Sequence, residues 1–379
     1  MISVSGAYQT KFGELWDRSL EDLILEAGQG AISDARINKT KIDLVLVANM
    51  LSGRLDSQDH LGALAVQILE LDQTPALRVE AACASSGVAL HQAVTAIKAG
   101  NAKTVLVIGV EKMTDKSNSQ IAQALMGAAS SQERQAGLTF VGLYALMARV
   151  YFEKYKASKN DLAYVAIKNH RHASRNPKAQ YPFPVELETV LKSSCVASPL
   201  HLFDCSPISD GAAAVVVTSR PQLKRDVAIT ASQLATDSVS LSERQSLTEL
   251  KATKIAGQKA YAQAGISPDN IDIAEVHDCF SIAEIMAVED LGFCQKGEGF
   301  KKIKHGEFDH DGRLPVNLSG GLKACGHPVG ATGVKQIVEL VTQLRHEAVG
   351  RQIKTGKIGL AHNVGGSGAT AAVHILRKL

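Results

Sequence analysis

Apolar positions along the chain recur in two rhythms. Leu20, Leu23, Ile24, Ala27 and Ala31 fall on one face of a 3.6-residue period, which predicts an amphipathic helix. The run that follows, Ile42–Ala48, reads as a strand, and its density of Val and Leu suits burial on both faces. Farther on, Ala81–Gly100 predicts a helix closed by Gly100, and Thr104–Gly109 a buried strand. Near the C-terminus, Val334, Ile337, Val338, Val341 and Leu344 mark another helical face, followed by strands over Lys357–Ala361 and Thr370–Leu376.

The rhythm itself repeats. Ala27-Gly28-Gln29 returns as Ala256-Gly257-Gln258, Ala31 as Ala260, Ala35 as Ala264, Ile37 as Ile266, and Ile42-Asp43 as Ile271-Asp272, always at the same offset. In both copies an Ala-rich helix runs into an apolar strand, the second over Ile271–Val276. A duplicated α/β chain follows, with two mixed sheets, one per half, and helices packed in layers around them. The pattern breaks between Asp115 and about Pro199, where polar stretches and prolines around Tyr181 predict an inserted loop domain. The strand Ala212–Thr218 after Asp210-Gly211 then completes the first sheet. The expected division is residues 1–115 with 200–221, an insertion over 116–199, and a second half over 222–379.

Composition narrows the function classes. In 379 residues, 45% are hydrophobic and 21% charged, the profile of a globular chain with an aliphatic core. The balance of 41 basic to 38 acidic residues argues against nucleic acid or an anionic membrane as the partner. A basic stretch over 151–180, with Lys154, Lys156, Lys159, Lys168, Arg171, Arg175 and Lys178, reads either as a solvated helix face or as a surface for phosphates. Met1 leads directly into Ile2-Ser3-Val4 without a basic or apolar leader, and no apolar run is long enough to span a bilayer, so a cytoplasmic protein is expected. There the six cysteines are thiols, and without CxxC pairs they do not propose a zinc site.

Four segments could carry chemistry. Cys83, in Glu80-Ala81-Ala82-Cys83-Ala84-Ser85-Ser86-Gly87, falls where a strand meets a helix start, a place that lowers a thiol pKa; the alternative is a small buried thiol among alanines. His327, in Gly326-His327-Pro328-Val329-Gly330-Ala331-Thr332-Gly333, is held by glycines and proline before a helix, and could serve Cys83 as a base. Cys325 beside it is either a filler or a participant. His277-Asp278-Cys279-Phe280 ends the repeated strand, whereas its counterpart Ala48-Asn49-Met50-Leu51 has no such groups. His277 could donate to a thioester oxygen and Cys279 exchange a proton with a substrate α-carbon, or Cys279 could be structural. The turn His362-Asn363-Val364-Gly365-Gly366-Ser367-Gly368 offers backbone N–H donors for an oxyanion, each worth about 2.7–4 kcal/mol in acyl transfer.

Taken together and in this order, these elements resemble the thiolase family nearly end to end, most specifically over Gly320-Gly321-Leu322-Lys323 and the His327 segment. Ser209-Asp210-Gly211-Ala212-Ala213-Ala214 is also similar to the family's last N-terminal strand. His-Asp-Cys-Phe resembles the sterol-carrier-protein type and archaeal thiolases, where better-known members carry Asn-Glu-Ala-Phe. Most thiolases have a second catalytic cysteine where this chain has Asn363, and the resemblance implies that Cys279 takes over that task.

It further implies an acyltransferase of acyl-CoA and lipid metabolism that cleaves 3-ketoacyl-CoA or condenses acyl-CoA units through an acyl-Cys83 intermediate. His327 would be the base, and His277 with His327 would polarise the enolate oxygen. The N–H groups of Cys83 and Gly365 would hold the tetrahedral oxyanion, and Ser206 and Phe280 would line the pantetheine arm. Coenzyme A is then substrate, with no permanently bound cofactor and no metal. A homodimer or homotetramer is expected, with a small oligonucleotide-fold protein as a possible partner. The rival reading is a condensing enzyme of the ketoacyl-synthase kind, which also uses a Cys-His-His set; Cys279 separates the two.

Overall fold

The computed structural model describes residues 1–221 and 225–379. Strand β1 (Ser3–Gln9) leads to helix α1 (Leu20–Ala35) and strand β2 (Leu44–Ala48), followed by β3 (Ala76–Val79), α2 (Ser85–Lys98) and β4 (Thr104–Glu111). The chain then leaves the sheet through several helices, including α3 (Phe140–Tyr155) and α4 (Lys159–Ala173), and returns as β5 (Gly211–Thr218) between β4 and β1. The second half comprises β6 (Val227–Thr236), α5 (Lys251–Ala264), β7 (Ile273–Glu275), α6 (Ser281–Asp290), α7 (Thr332–Leu344), β8 (Ile358–Gly365) and β9 (Thr370–Lys378). Helix α1 starts where Ser19 Oγ accepts from Asp22 N and the Asp22 carboxylate accepts from Ser19 N, a reciprocal cap.

The strands join in the order β3-β2-β4-β5-β1-β6-β9-β8-β7. Pairing in the two halves is the same: β2 and β7 run parallel to β4 and β8, which turn antiparallel into β5 and β9, and these flank β1 and β6. Val316 bridges Ala274 where the first half has β3 beside β2. The duplicated aspartates show why those identities persist. Asp43 Oδ2 accepts from Lys103 N at 2.7 Å and Thr104 N at 2.9 Å; Asp272 Oδ2 accepts from Lys357 N and Ile358 N at the same distances. Each clamps the start of the neighbouring strand. The two expected sheets are continuous at one edge, through the pairs Ser3↔Ala228 and Val4↔Val227.

Alternation along the strands explains the layers. Val45, Val47, Leu106 and Ile108 pack outward against Leu23, Ile24, Ala27 and Ala31 of α1. Leu46, Val105 and Val107 face inward, where Leu90 and Ala93 of α2 meet Val334, Ile337 and Val341 of α7. With α5 covering the outer face of the second half, the order is helix, sheet, helix pair, sheet, helix. Both faces of β4 are therefore buried, as its unbroken apolar run requires. In the basic stretch Lys154, Lys156, Lys159, Arg171 and Arg175 are exposed, as on a solvated face, whereas Lys168 is buried and pairs with Glu284 at 3.0 Å. No described helix is long and apolar enough to cross a membrane.

Buried Lys335 on α7 meets Glu275 on β7 at 3.1 Å and also donates to Ser319 Oγ and Gly321 O. Replacing it with methionine strands the Glu275 carboxylate without its counter-charge. The expected loss is about 3–5 kcal/mol of unfolding free energy, read by denaturant titration. A loss below about 1 kcal/mol would show that Glu275 is held adequately by Ser319 alone.

Candidate active site

The predicted helix over Ala81–Gly100 begins four residues late, at Ser85, because Ala81–Ala84 form a turn of their own. Glu80 Oε1 accepts from Ala82 N at 2.6 Å, and Ser85 Oγ accepts from Ala81 N at 2.9 Å while donating to Ala82 O at 2.5 Å. Ala82 is held at φ +52°, a left-handed conformation that costs an alanine about 1 kcal/mol. Cys83 follows it, half-buried, before the helix rather than in its first turn.

His327 is positioned from the other half. Its N–H donates to Ser209 Oγ at 2.9 Å, and its Nδ1 lies 2.6 Å from Thr332 Oγ1, whose hydroxyl donates to Pro328 O. Helix α7 starts at Thr332 and approaches the start of α2 closely. A Cβ on Gly333 would lie 2.5 Å from Gly87 N and 2.4 Å from Asn363 Oδ1, so only glycine fits there. Val334 N donates to Ser86 Oγ at 3.1 Å, which fastens one helix start to the other.

The His277–Phe280 turn leaves β7 and ends at α6. Asp278 is its anchor: its carboxylate accepts from Leu322 N at 2.6 Å, Lys323 N at 3.2 Å and Asn169 Nδ2 at 2.7 Å. That fixes Cys279, whose carbonyl accepts from Ser206 N at 2.9 Å. The His277 ring lies 5.1 Å from the His327 ring, nearly perpendicular to it. Asn363 joins the halves, with Nδ2 at 3.0 Å from Cys83 O and 3.2 Å from His277 Nδ1.

A largely apolar cavity of about 250 Å³ exposes Cys83, Cys279 and His327 together, with Ser206 and Phe280 on its wall. His277 stands behind this lining, fully buried. Gly365 lines a neighbouring cleft with Ala81 and Ala82, and it is Gly366 that faces the cavity and offers its N–H to the Cys83 sulfur. Cys325 lies elsewhere, packed in a small cluster with Phe12 and Ala173. One residue without any motif to announce it also belongs here: Tyr144 of α3 donates to Gly366 O at 3.2 Å, lines the cavity with Cys279 and packs against Phe280 with ring centres 4.6 Å apart and planes tilted by 31°.

The electrostatics differ from the expected acidic thiol. Burial pushes Cys83 up to about 12, with the Glu111 and Glu80 carboxylates adding to the rise and the N–H groups of Gly366 and Cys83 opposing it. Burial also raises Cys279. It pulls His327 down to about 3, assisted by Lys335, and holds His277 far below its ordinary range. At rest the thiols and imidazoles are all neutral, and a thiolate forms only as its proton is taken.

The thiolase N-terminal domain family matches residues 2–221, and the thiolase C-terminal domain-like family matches 234–378. An acetyl-CoA acetyltransferase of Methanothermobacter thermautotrophicus is 47% identical, covering 100% of this chain and 99% of its own. Human sterol carrier protein 2 is 33% identical over 97% of this chain and 70% of its length. Among solved structures, the Ltp2-ChsH2(DUF35) aldolase aligns with a TM-score of 0.85 at 25% identity, covering 99% of this chain and 97% of the other. With both halves matched and a near full-length relative at this identity, the chain belongs to the thiolase family and is an acyltransferase.

Proposed function

We propose that the thiolase reaction runs on Cys83 as nucleophile, His327 as its base and Cys279 as the second acid/base. The observation that carries this is the one cavity onto which all three open. In cleavage, His327 Nε2 takes the Cys83 proton as sulfur attacks the keto carbon of a 3-ketoacyl-CoA. The bond between α- and keto carbons breaks, and Cys279 S–H protonates the enolate that leaves as acetyl-CoA. The coenzyme A thiol then takes the acyl group from Cys83 and returns a proton. Condensation is the reverse. Each step moves a proton or an acyl group between groups already named, so no resident cofactor is needed.

His277 polarises the oxygen that becomes the enolate, and the N–H groups at Cys83 and the Gly365-Gly366 turn hold the tetrahedral oxyanion. Acetyl-CoA and acetoacetyl-CoA are the substrates we assign, supported by the identity to the methanogen acetyltransferase. Pantetheine passes Ser206 and Phe280. A second cavity of about 400 Å³ shares the Ser206 wall and reaches His170, Tyr181 and Phe183, which supports coenzyme binding by the 116–199 insertion. Exposed Leu77 on β3, an end strand next to the Cys83 turn, suits pairing with a second copy as a homodimer or homotetramer. A small oligonucleotide-fold partner remains part of this reading, as does a cytoplasmic setting that keeps six free thiols reduced.

The test is cleavage of acetoacetyl-CoA by free coenzyme A, followed as acetyl-CoA release across pH. Because His327 is held near 3, it stays an unprotonated base throughout the range above that. The expected kcat/KM therefore stays level through the ordinary histidine titration near about 6.5. No cleavage at any pH would favour the ketoacyl-synthase reading, and a fall centred near pH 6.5 would remove His327 as the base.

A further inference from the structure

We propose that Asn363 is a positioning residue that holds His277 as the Nε2–H tautomer, so that His277 can only donate a hydrogen bond at the site. The inference rests on the reading of the reaction given above. The orientation of the Asn363 amide is fixed by two backbone groups of the nucleophile segment: Oδ1 accepts from Gly87 N at 3.2 Å, and Nδ2 donates to Cys83 O at 3.0 Å. Turning the amide over would set oxygen against a carbonyl and NH₂ against an N–H. The amide is also closely packed, because a Cβ at Gly87 or Gly333 would lie 2.9 Å or 2.4 Å from Oδ1.

With the amide so placed, its remaining Nδ2 hydrogen points at His277 Nδ1, 3.2 Å away. That ring nitrogen must accept, so the single proton of the neutral ring resides on Nε2. Burial, together with the positive charge that His327, His362 and Lys335 would present, keeps a second proton off the ring. Nε2 itself is buried and has no hydrogen-bond partner among the described residues. Buried N–H donors are rarely left unmatched, and this one sits beside the His327 ring at the reacting centre. The acceptor it awaits is the thioester oxygen, which gains negative charge as the α-carbon's C–H bond breaks and the proton passes to the Cys279 sulfur, left as thiolate once its own proton has gone to His327, free again after acetylation. Asn363 thus does a different task from the catalytic cysteine that most thiolases carry at its position: it sets the proton on a neighbouring histidine.

Asn363→Asp separates this from a packing role. An aspartate oxygen in place of Nδ2 cannot donate, so His277 must turn its proton to Nδ1 and lose the Nε2 donor, unless the ring gains a second proton. Condensation of two acetyl-CoA molecules is expected to fall about 100-fold or more at pH 8, with the deficit shrinking as pH is lowered and the ring becomes doubly protonated. Single-turnover acetylation of Cys83 uses the backbone donors instead and should change less than about tenfold. In wild-type protein labelled with ¹⁵N-histidine, His277, assigned by its loss in His277→Gln, should show a protonated Nε2 and a bare Nδ1. A wild-type Nδ1–H tautomer overturns the proposal whether or not the variant folds, as does condensation by Asn363→Asp at the wild-type rate. Failure of the wild type to acetylate Cys83 at all would instead remove the underlying reading of the reaction.

Discussion

Cys83→Ser should lower acetoacetyl-CoA cleavage by about 10⁴-fold or more and abolish transfer of label from radioactive acetyl-CoA to the protein. The size of the effect follows from the site. The Cys83 thiol is already pushed up to about 12 by burial and by two carboxylates, so its sulfur becomes nucleophilic only as His327 takes the proton. A hydroxyl starts several pKa units higher still, so the proton transfer to the same imidazole is that much farther uphill, and its oxygen is the weaker nucleophile until the proton has gone. Oxygen for sulfur is a small change at a half-buried position, so thermal unfolding should move little. Loss of activity with the fold kept would therefore report chemistry. Retention of label on the serine variant, or of more than about one hundredth of the activity, would reassign the nucleophile.

Some of this site is legible in the sequence because its constraints are local. Asp43 and Asp272 repeat because each clamps two backbone N–H groups at the start of the neighbouring strand. His327 stands out because the glycines and proline around it serve a close helix approach that tolerates no Cβ at Gly333. Other features depend on contacts that no spacing announces. Tyr144 arrives from the 116–199 insertion on an otherwise ordinary helix, and only the fold sets its hydroxyl beside Gly366 and Cys279. Asn363 looks like the absence of a cysteine until its partners Gly87, Cys83 and His277 are brought to it from distant segments.

The acidity of Cys83 illustrates a different limit. A cysteine before a helix predicts a lowered pKa when the helix end is solvent-facing and its N–H groups are free. Here the helix starts two residues later, at Ser85, and the first turn is occupied by its own hydrogen bonds. Buried Glu111, which accepts from Met50, Leu51 and Gly330 N–H groups, adds a nearby negative charge from β4. Sequence order places the thiol at the helix; it does not place the carboxylates.

Cys279→Ala should split the reaction rather than end it. The substitution removes a buried thiol that faces the same cavity as Cys83 and Tyr144, and leaves the Cys83 turn, His327 and the Gly366 N–H in place. Acetylation of Cys83 by acetyl-CoA needs only those groups, so a stoichiometric burst of label should persist. Condensation and cleavage both require a proton to move at the α-carbon, and each should fall by about 10²–10⁴-fold, the usual worth of a positioned acid or base. Asn363 cannot restore it, because an amide neither gives up nor takes a proton in this range and is committed to three hydrogen bonds. The exchange of α-deuterium from labelled acetyl-CoA into water gives the sharper reading, since it reports the Cys279 step without the carbon–carbon bond. Exchange at the wild-type rate in Cys279→Ala would move the acid/base role to another group; its loss, with Cys83 still acetylated, separates the two thiols into nucleophile and proton carrier on opposite sides of the duplicated frame.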